Sequence, residues 1–386
     1  MDGMRSAYLL GTLLAGALLL GGAAPAQAST TAKSPTEGLS YVALGDSFAA
    51  GYGLTPATKK PAPGCHQSSE NYPHRVARAL DLKLTDVTCS GAVTSNVIAK
   101  PQKTDSGTAP VQLDSLGKNT RVVTLTIGGN DLGFFTTATS CIALTKNGPI
   151  LTTSKLNCKS SYVKNGVDTL ADRIPGAVTT GLQKTFAAIR AAAPKAKVFV
   201  VGYPAITPDA AHTPASGCFR SGLGGTLRSL RIDNGFPFTN GDSLYLNGIE
   251  KKLDRAMKEQ TEAAGYEYIS VLAASEAHSA CASPEASYVQ GLSLRTNSDF
   301  SFTILPGALH PNVKGAAFLA NSVIPLIRDA FPAPTASASP SPQPSPAQPG
   351  SPGGVVAIVL IAVLVLGGVA VWVVIRRRRR RRNNGD

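Results

Sequence analysis

An α/β fold is predicted by this sequence: a three-layer αβα sandwich built around a parallel sheet. Three observations carry that reading. Apolar runs of strand length recur along the chain, amphipathic stretches of helical length fall between and after them, and the first three runs end in glycine-containing polar turns. Strands alternating with helices argue for βαβ units, and right-handed crossovers then place helices on both faces of the sheet.

The first run is Tyr41–Leu44, which breaks at Gly45-Asp46-Ser47-Phe48. A helical pattern follows over Asn71–Leu80, then the second run, Leu82–Thr88, ending in Cys89-Ser90-Gly91-Ala92. The third run, Val122–Ile127, breaks at Gly128-Gly129-Asn130-Asp131. Val178–Ala193 has helical spacing and stops at Pro194, and Val198–Val201 is the fourth run. Ser243–Ala264 is helical and stops at Gly265, before the fifth run, Tyr266–Val271. The last helical pattern is Pro311–Phe331, with Pro311 suited to a first turn. Cys141–Pro175 and Thr207–Phe238 follow neither period and are expected as long loops. One folded domain over 36–331 accounts for all of these elements.

Two apolar segments bracket that domain. Arg5, the stretch Leu9–Leu20 and the small-x-small site Ala26-Gln27-Ala28 have the layout of a signal peptide over 1–28. Near the other end, 353–375 is expected as a transmembrane helix; its stretch Val355–Ile375 carries no charge and is long enough to span a bilayer. Arg376–Arg382 then mark a cytoplasmic tail over 376–386. Pro332–Pro352, rich in Pro, Ser and Ala, cannot bury a core and is expected as a stalk. The domain is therefore expected outside the cell, exported and anchored in the cell membrane.

The formal charge of +13 owes much to the tail. Without the terminal segments the balance is only mildly basic, which excludes any need for a nucleic-acid partner. The six cysteines, Cys65, Cys89, Cys141, Cys158, Cys218 and Cys281, all lie between the apolar segments. An even number in an oxidising compartment suggests three disulfides. Sequential pairing is expected: Cys65–Cys89, Cys141–Cys158 and Cys218–Cys281. No Cys-x-x-Cys pair and no acidic or histidine pair has ligand spacing, so no metal and no cofactor is expected. A monomer is expected.

The chemistry sits at the ends of the runs. In a parallel sheet the ends of the first three share one edge, where open α/β sheets build ligand sites. Ser47 is a candidate nucleophile, although Gly-Asp-Ser is also ordinary turn chemistry. Gly91 can bring its N–H close to a ligand, or be a turn glycine. Asn130 can offer a side-chain donor, or cap a helix. Of His66, His74, His212, His278 and His310, the last stands out, in Gly307-Ala308-Leu309-His310-Pro311-Asn312 just before a helical pattern. It is the candidate base.

The ordered set Gly45-Asp46-Ser47, Gly91, Gly128-Gly129-Asn130-Asp131 and His310-Pro311-Asn312 resembles the SGNH hydrolases, or GDSL lipases and esterases. It looks most similar to their secreted actinobacterial branch, over about residues 40–331. The resemblance implies a flavodoxin-like sandwich with a five-stranded parallel sheet, and an ester substrate such as a lipid or an acylated envelope component. It implies Ser47 as nucleophile, His310 as base, and an oxyanion hole of the Ser47 and Gly91 N–H groups with the Asn130 side chain. Many family members carry an aspartate three residues before the histidine, where this chain has Gly307. A Ser–His dyad is expected instead, with the Gly307 carbonyl orienting the ring; the alternative third member is Asp299. A surface or cell-wall binding module on a degenerate hydrolase fold is the competing function. A peptidase or thioesterase would share the same acyl chemistry.

Overall fold

Residues 34–224, 231–297 and 301–333 are described by a computed structural model of the chain. The expected signal peptide, the stalk beyond Ala333, the transmembrane helix, the arginine tail and Asp299 lie outside the described residues. Among the described residues no helix is long and apolar enough to cross a membrane. The chain divides into units 1–333 and 334–386, and the described residues belong to the first.

The five apolar runs become the strands of one sheet: β1 (Ser40–Gly45), β2 (Lys83–Asp86), β3 (Val122–Thr126), β4 (Lys197–Val201) and β5 (Glu267–Ile269). All pairs are parallel, in the order β5-β4-β3-β1-β2. Read from the other side this is 2-1-3-4-5, the flavodoxin-like order, which reverses direction between β1 and β3. The crevice at that reversal is where such sheets place ligands.

Period-two alternation along each strand divides the core into two layers. Tyr41, Ala43 and Val122 face one side, under α1 (Tyr72–Leu80) and α4 (Val313–Ala330). Val42, Leu44, Val123 and Leu125 face the other, under α2 (Thr180–Ala192) and α3 (Asn240–Ala263). Each fully buried Leu, Val or Phe contributes about 1.5–3 kcal/mol through area removed from water. The helix starts are set by side-chain caps. Asn71 accepts the His74 N–H at 3.0 Å, Thr239 accepts that of Asp242 at 3.1 Å, and Asn312 accepts those of Lys314 and Gly315 at 2.9 and 3.0 Å. Pro311 therefore stands just outside α4 rather than in its first turn.

The segment Thr207–Phe238 is not the plain loop expected. It contains strands Leu223–Gly224 and Arg231–Gly235, which join Leu292–Thr296 and Phe302–Ile304 in a four-stranded antiparallel sheet. Arg231-Ile232-Asp233-Asn234-Gly235 is mostly polar, and its longer pairing, with Leu292–Thr296, lies far along the sequence, so no local apolar period announces it. The segment Cys141–Pro175 holds a short helix, Lys159–Tyr162, and a two-stranded hairpin, Val163–Lys164 with Val167–Asp168. Cys141–Cys158 and Cys218–Cys281 fasten these excursions, and a third disulfide, Cys65–Cys89, ties the loop before α1 to the end of the second run.

Candidate active site

Gly45 ends β1 at φ +140°, a backbone setting that L side chains rarely adopt, and a Cβ there would lie 2.5 Å from Thr126 O. The Gln112 side-chain amide holds both backbone polar groups of Gly45: Gly45 N–H donates to Oε1 at 2.7 Å, and Nε2 donates to Gly45 O at 2.9 Å. The chain then turns into the one-turn helix Ser47–Ala50, capped by Asp46, which accepts the Phe48 N–H at 3.0 Å. Ser47 is the first residue of that turn, so its own N–H has no acceptor within it.

His310 meets Ser47 across the chain. Its Nε2 lies 2.8 Å from Ser47 Oγ, and its Nδ1 lies 2.7 Å from Ala308 O. A carbonyl only accepts, so Nδ1 carries the proton and Nε2 faces the serine hydroxyl as an acceptor. The expected partner, Gly307 O, is instead taken by the His310 backbone N–H at 3.1 Å. Leu309, in the left-handed region at φ +58°, reverses the chain so that the Ala308 carbonyl reaches the ring. Both ends of the Ser–His pair are buried, under Phe48, Tyr52 and Phe135, whose rings lie 4.9, 5.0 and 5.5 Å from the imidazole. Burial pushes the His310 pKa down to about 4, and the Ala308 hydrogen bond only partly offsets it. The ring is neutral near pH 7.

Two further turns border the same cleft. Gly91 sits at φ +82° after β2, where Ser90 and Ala92 donate their N–H groups to Cys65 O and Cys89 O at 3.0 and 3.1 Å. Asn130 follows β3 and gives one Nδ2 hydrogen to Ala92 O at 2.9 Å. Its second amide hydrogen is left for the cleft that it lines. Asp131 ties the two turns together by accepting from Thr94 N–H at 3.0 Å and Thr94 Oγ1 at 2.5 Å. Ser47, Gly91, Asn130 and His310 thus border one cleft of about 660 Å³.

Tyr203 and Gln112 are absent from the sequence reading. Tyr203 hydroxyl donates to Asp46 Oδ2 at 2.5 Å and accepts the Gly129 N–H at 3.0 Å, joining the serine turn to the asparagine turn. Its signal was available: it follows β4 directly, in Gly202-Tyr203-Pro204, at the edge shared by the other blocks. Gln112 lies in a short irregular turn with no such signal. Burial pushes the Asp46 carboxyl up to about 7, while its bonds from Tyr203 and Phe48 hold it down in part. The cleft is also lined by apolar Phe134, Phe135, Ile206, Leu253 and Ile304 and by polar Tyr52, His66, Lys103 and Asp105. Among the described residues no group of three or more His, Cys, Asp or Glu side chains could hold a metal ion.

Comparison with known proteins identifies the family. The GDSL-like Lipase/Acylhydrolase family matches residues 43–318. Lipase 2 of Streptomyces coelicolor is 34% identical over 307 residues, covering 79% of this chain and 89% of that protein. An esterase of Streptomyces scabiei is 27% identical over 339 residues, covering 82% and 94%. The crystal structure of phospholipase A1 from Streptomyces albidoflavus NA297 superposes with a TM-score of 0.53 at 25% identity, covering 76% of this chain and all of that one (100%). On the strength of that family match and the Lipase 2 likeness, the chain belongs to the GDSL-like lipase/acylhydrolase family of ester hydrolases.

Proposed function

We propose that this chain is an exported serine ester hydrolase that cleaves acyl esters through Ser47 and His310, held at the cell membrane by its apolar C-terminal segment. The observation that carries the chemistry is the 2.8 Å approach of His310 Nε2 to Ser47 Oγ, with Nδ1 occupied by Ala308 O. A neutral, buried imidazole in this tautomer can take the serine proton. Ser47 Oγ then bonds to the ester carbonyl carbon. The oxyanion is received by the N–H groups of Ser47 and Gly91 and by Asn130 Nδ2. Collapse breaks the bond to the alcohol oxygen, which leaves with the proton from His310. A water molecule then repeats the sequence on the acyl-enzyme. The Ala308 carbonyl orients the ring but brings no negative charge, so the imidazolium is steadied less than beside a carboxylate.

Anchoring is supported by the sequence alone: the charge-free stretch Val355–Ile375 and the arginines that follow it. An activity-based fluorophosphonate probe tests the chemistry and separates it from the binding-module reading. The native protein is expected to be labelled on Ser47 and to hydrolyse short p-nitrophenyl esters, while Ser47→Ala does neither. Full esterase activity in Ser47→Ala would refute the assignment.

A further inference from the structure

Beside the Ser47–His310 pair lies a second file of polar side chains that the reaction above does not use. Tyr52 packs edge-on against His310 with ring centroids 5.0 Å apart, and on its far side against His66 at 5.5 Å. His66 Nε2 in turn meets Asp105 Oδ2 at 3.3 Å. All of them line the catalytic cleft. The file therefore starts at the ring that must protonate the departing alcohol and runs outward from it. His66 is held there by its backbone: it occupies the left-handed region at φ +50°, directly after Cys65, whose disulfide to Cys89 fixes this turn to the one bearing Gly91. Gly64, one residue earlier, leaves the room that Asp105 and Thr104 fill, since a Cβ there would overlap both.

Next to Gly91, two buried side-chain oxygens that border the cleft, Ser90 Oγ and Gln102 Oε1, have no hydrogen-bond partner. Gln102 is nine-tenths buried and gives its Nε2 to Ser90 O at 2.7 Å, which leaves Oε1 as an acceptor in need of a donor. The Asp105 carboxylate, which accepts from Ser106 Oγ at 3.0 Å and meets His66, is exposed and adds further acceptor oxygens. A phosphodiester offers acceptors only and would answer neither, whereas hydroxyl groups both donate and accept. Asp105 also balances Lys103 in the lining of the cleft, which weakens any pull on an anion.

From this arrangement we infer that Tyr52, His66 and Asp105, backed by Ser90 and Gln102, form a subsite for a hydroxylated leaving alcohol. The enzyme would then favour acyl esters of polyols or sugars over esters of plain alkyl alcohols, with the acyl part against the apolar lining residues. The inference rests on the reading of Ser47 and His310 as the reacting pair, because that pair defines the side from which the alcohol departs.

The experiment compares kcat/KM of the full-length protein on three butyrate esters: 1-monobutyrylglycerol, butyl butyrate and 1-butyryl-glycerol-3-phosphate. The native enzyme is expected to prefer the glycerol ester. Tyr52→Phe removes one oxygen, and His66→Asn keeps a residue that tolerates the left-handed backbone. Each is expected to lower the ratio of glycerol ester to butyl ester by about tenfold, the scale of a lost polar contact in a substrate pocket. A ratio that stays within about twofold of native in both variants overturns the subsite alone, since one lost contact exceeds that. So does a loss confined to the phosphorylated ester, which would mark the file as an anion site. A native enzyme inactive on all three esters and unlabelled by the fluorophosphonate probe would instead overturn the hydrolase reading, and the subsite with it.

Discussion

Ala308 O fixes the proton on His310 Nδ1 and so decides which ring nitrogen is available to Ser47. Because burial holds the His310 pKa near 4, the acid limb of kcat/KM is expected well below the ordinary histidine value of about 6.5. A pH–rate profile in which activity halves near 6.5 would contradict this. The same group links pH to stability. Its folded pKa lies below its unfolded one, so the neutral ring's contribution is complete above about 6.5 and is lost as pH falls from there toward about 4. Asp46, raised to about 7, has the opposite sign: its contribution is lost as pH rises through that value. Urea titrations of native protein and His310→Gln separate the two. The stability difference between them is expected to shrink from pH 7.5 to pH 5. At this scale the sequence was most informative where chemistry needs a particular side chain, as at Ser47, Asn130 and His310. The carbonyl that orients His310 was assigned one residue away, at Gly307, because every residue has a carbonyl. Which one faces the ring depends on the turn at Leu309, a residue type with no preference for positive φ.

The turns that carry these residues are held by one another more than by their own hydrogen bonds. Tyr203 is the clearest strut, because one hydroxyl serves Asp46 in the serine turn and Gly129 in the asparagine turn. Tyr203→Phe leaves a buried carboxylate oxygen without its donor and a backbone N–H without its acceptor. We expect a loss of about 1–3 kcal/mol in folding stability, the usual range for such orphaned groups. Misplacement of the proposed oxyanion donors is expected to lower kcat by about ten- to a hundredfold with little change in KM. Steady-state kinetics on a p-nitrophenyl ester, with a melting curve to show that the variant is folded, checks this. An unchanged kcat in folded protein would leave Tyr203 a purely structural residue. The inner strands β1, β3 and β4 were legible because they are buried on both faces and read as apolar runs. The strands near Gly224 and Arg231 were not, because they are short, Arg231–Gly235 is mostly polar, and it pairs on one side with Leu292–Thr296, far along the chain.

Over the whole molecule, the order 2-1-3-4-5 gathers the serine, glycine and asparagine turns at one rim of the sheet, and the loop before α4 brings His310 to the same place. The excursions outside the sandwich depend on covalent ties. Cys218–Cys281 closes a separation of 63 residues around the antiparallel sheet. Replacing both cysteines with serine is expected to cost about 2–5 kcal/mol, the usual range for a native disulfide in an exported domain. The 207–238 segment should then become the first site of cleavage in limited proteolysis; equal resistance in native and variant protein would contradict this. Helix α4, which follows His310, runs back down the sandwich, and its end returns to the opposite margin. There the Arg121 guanidinium, just ahead of β3, lies 5.5 Å from the centre of the Phe331 ring. The other described end, Ser34, precedes β1 at that margin too. Entry and exit of the domain are thus both on the side away from the reacting groups, which gives it a natural handle. A bead or affinity support coupled just after Ala333 should leave the mouth of the cleft open to bulk solution, and capture through this end should not obstruct even a bulky, aggregated substrate.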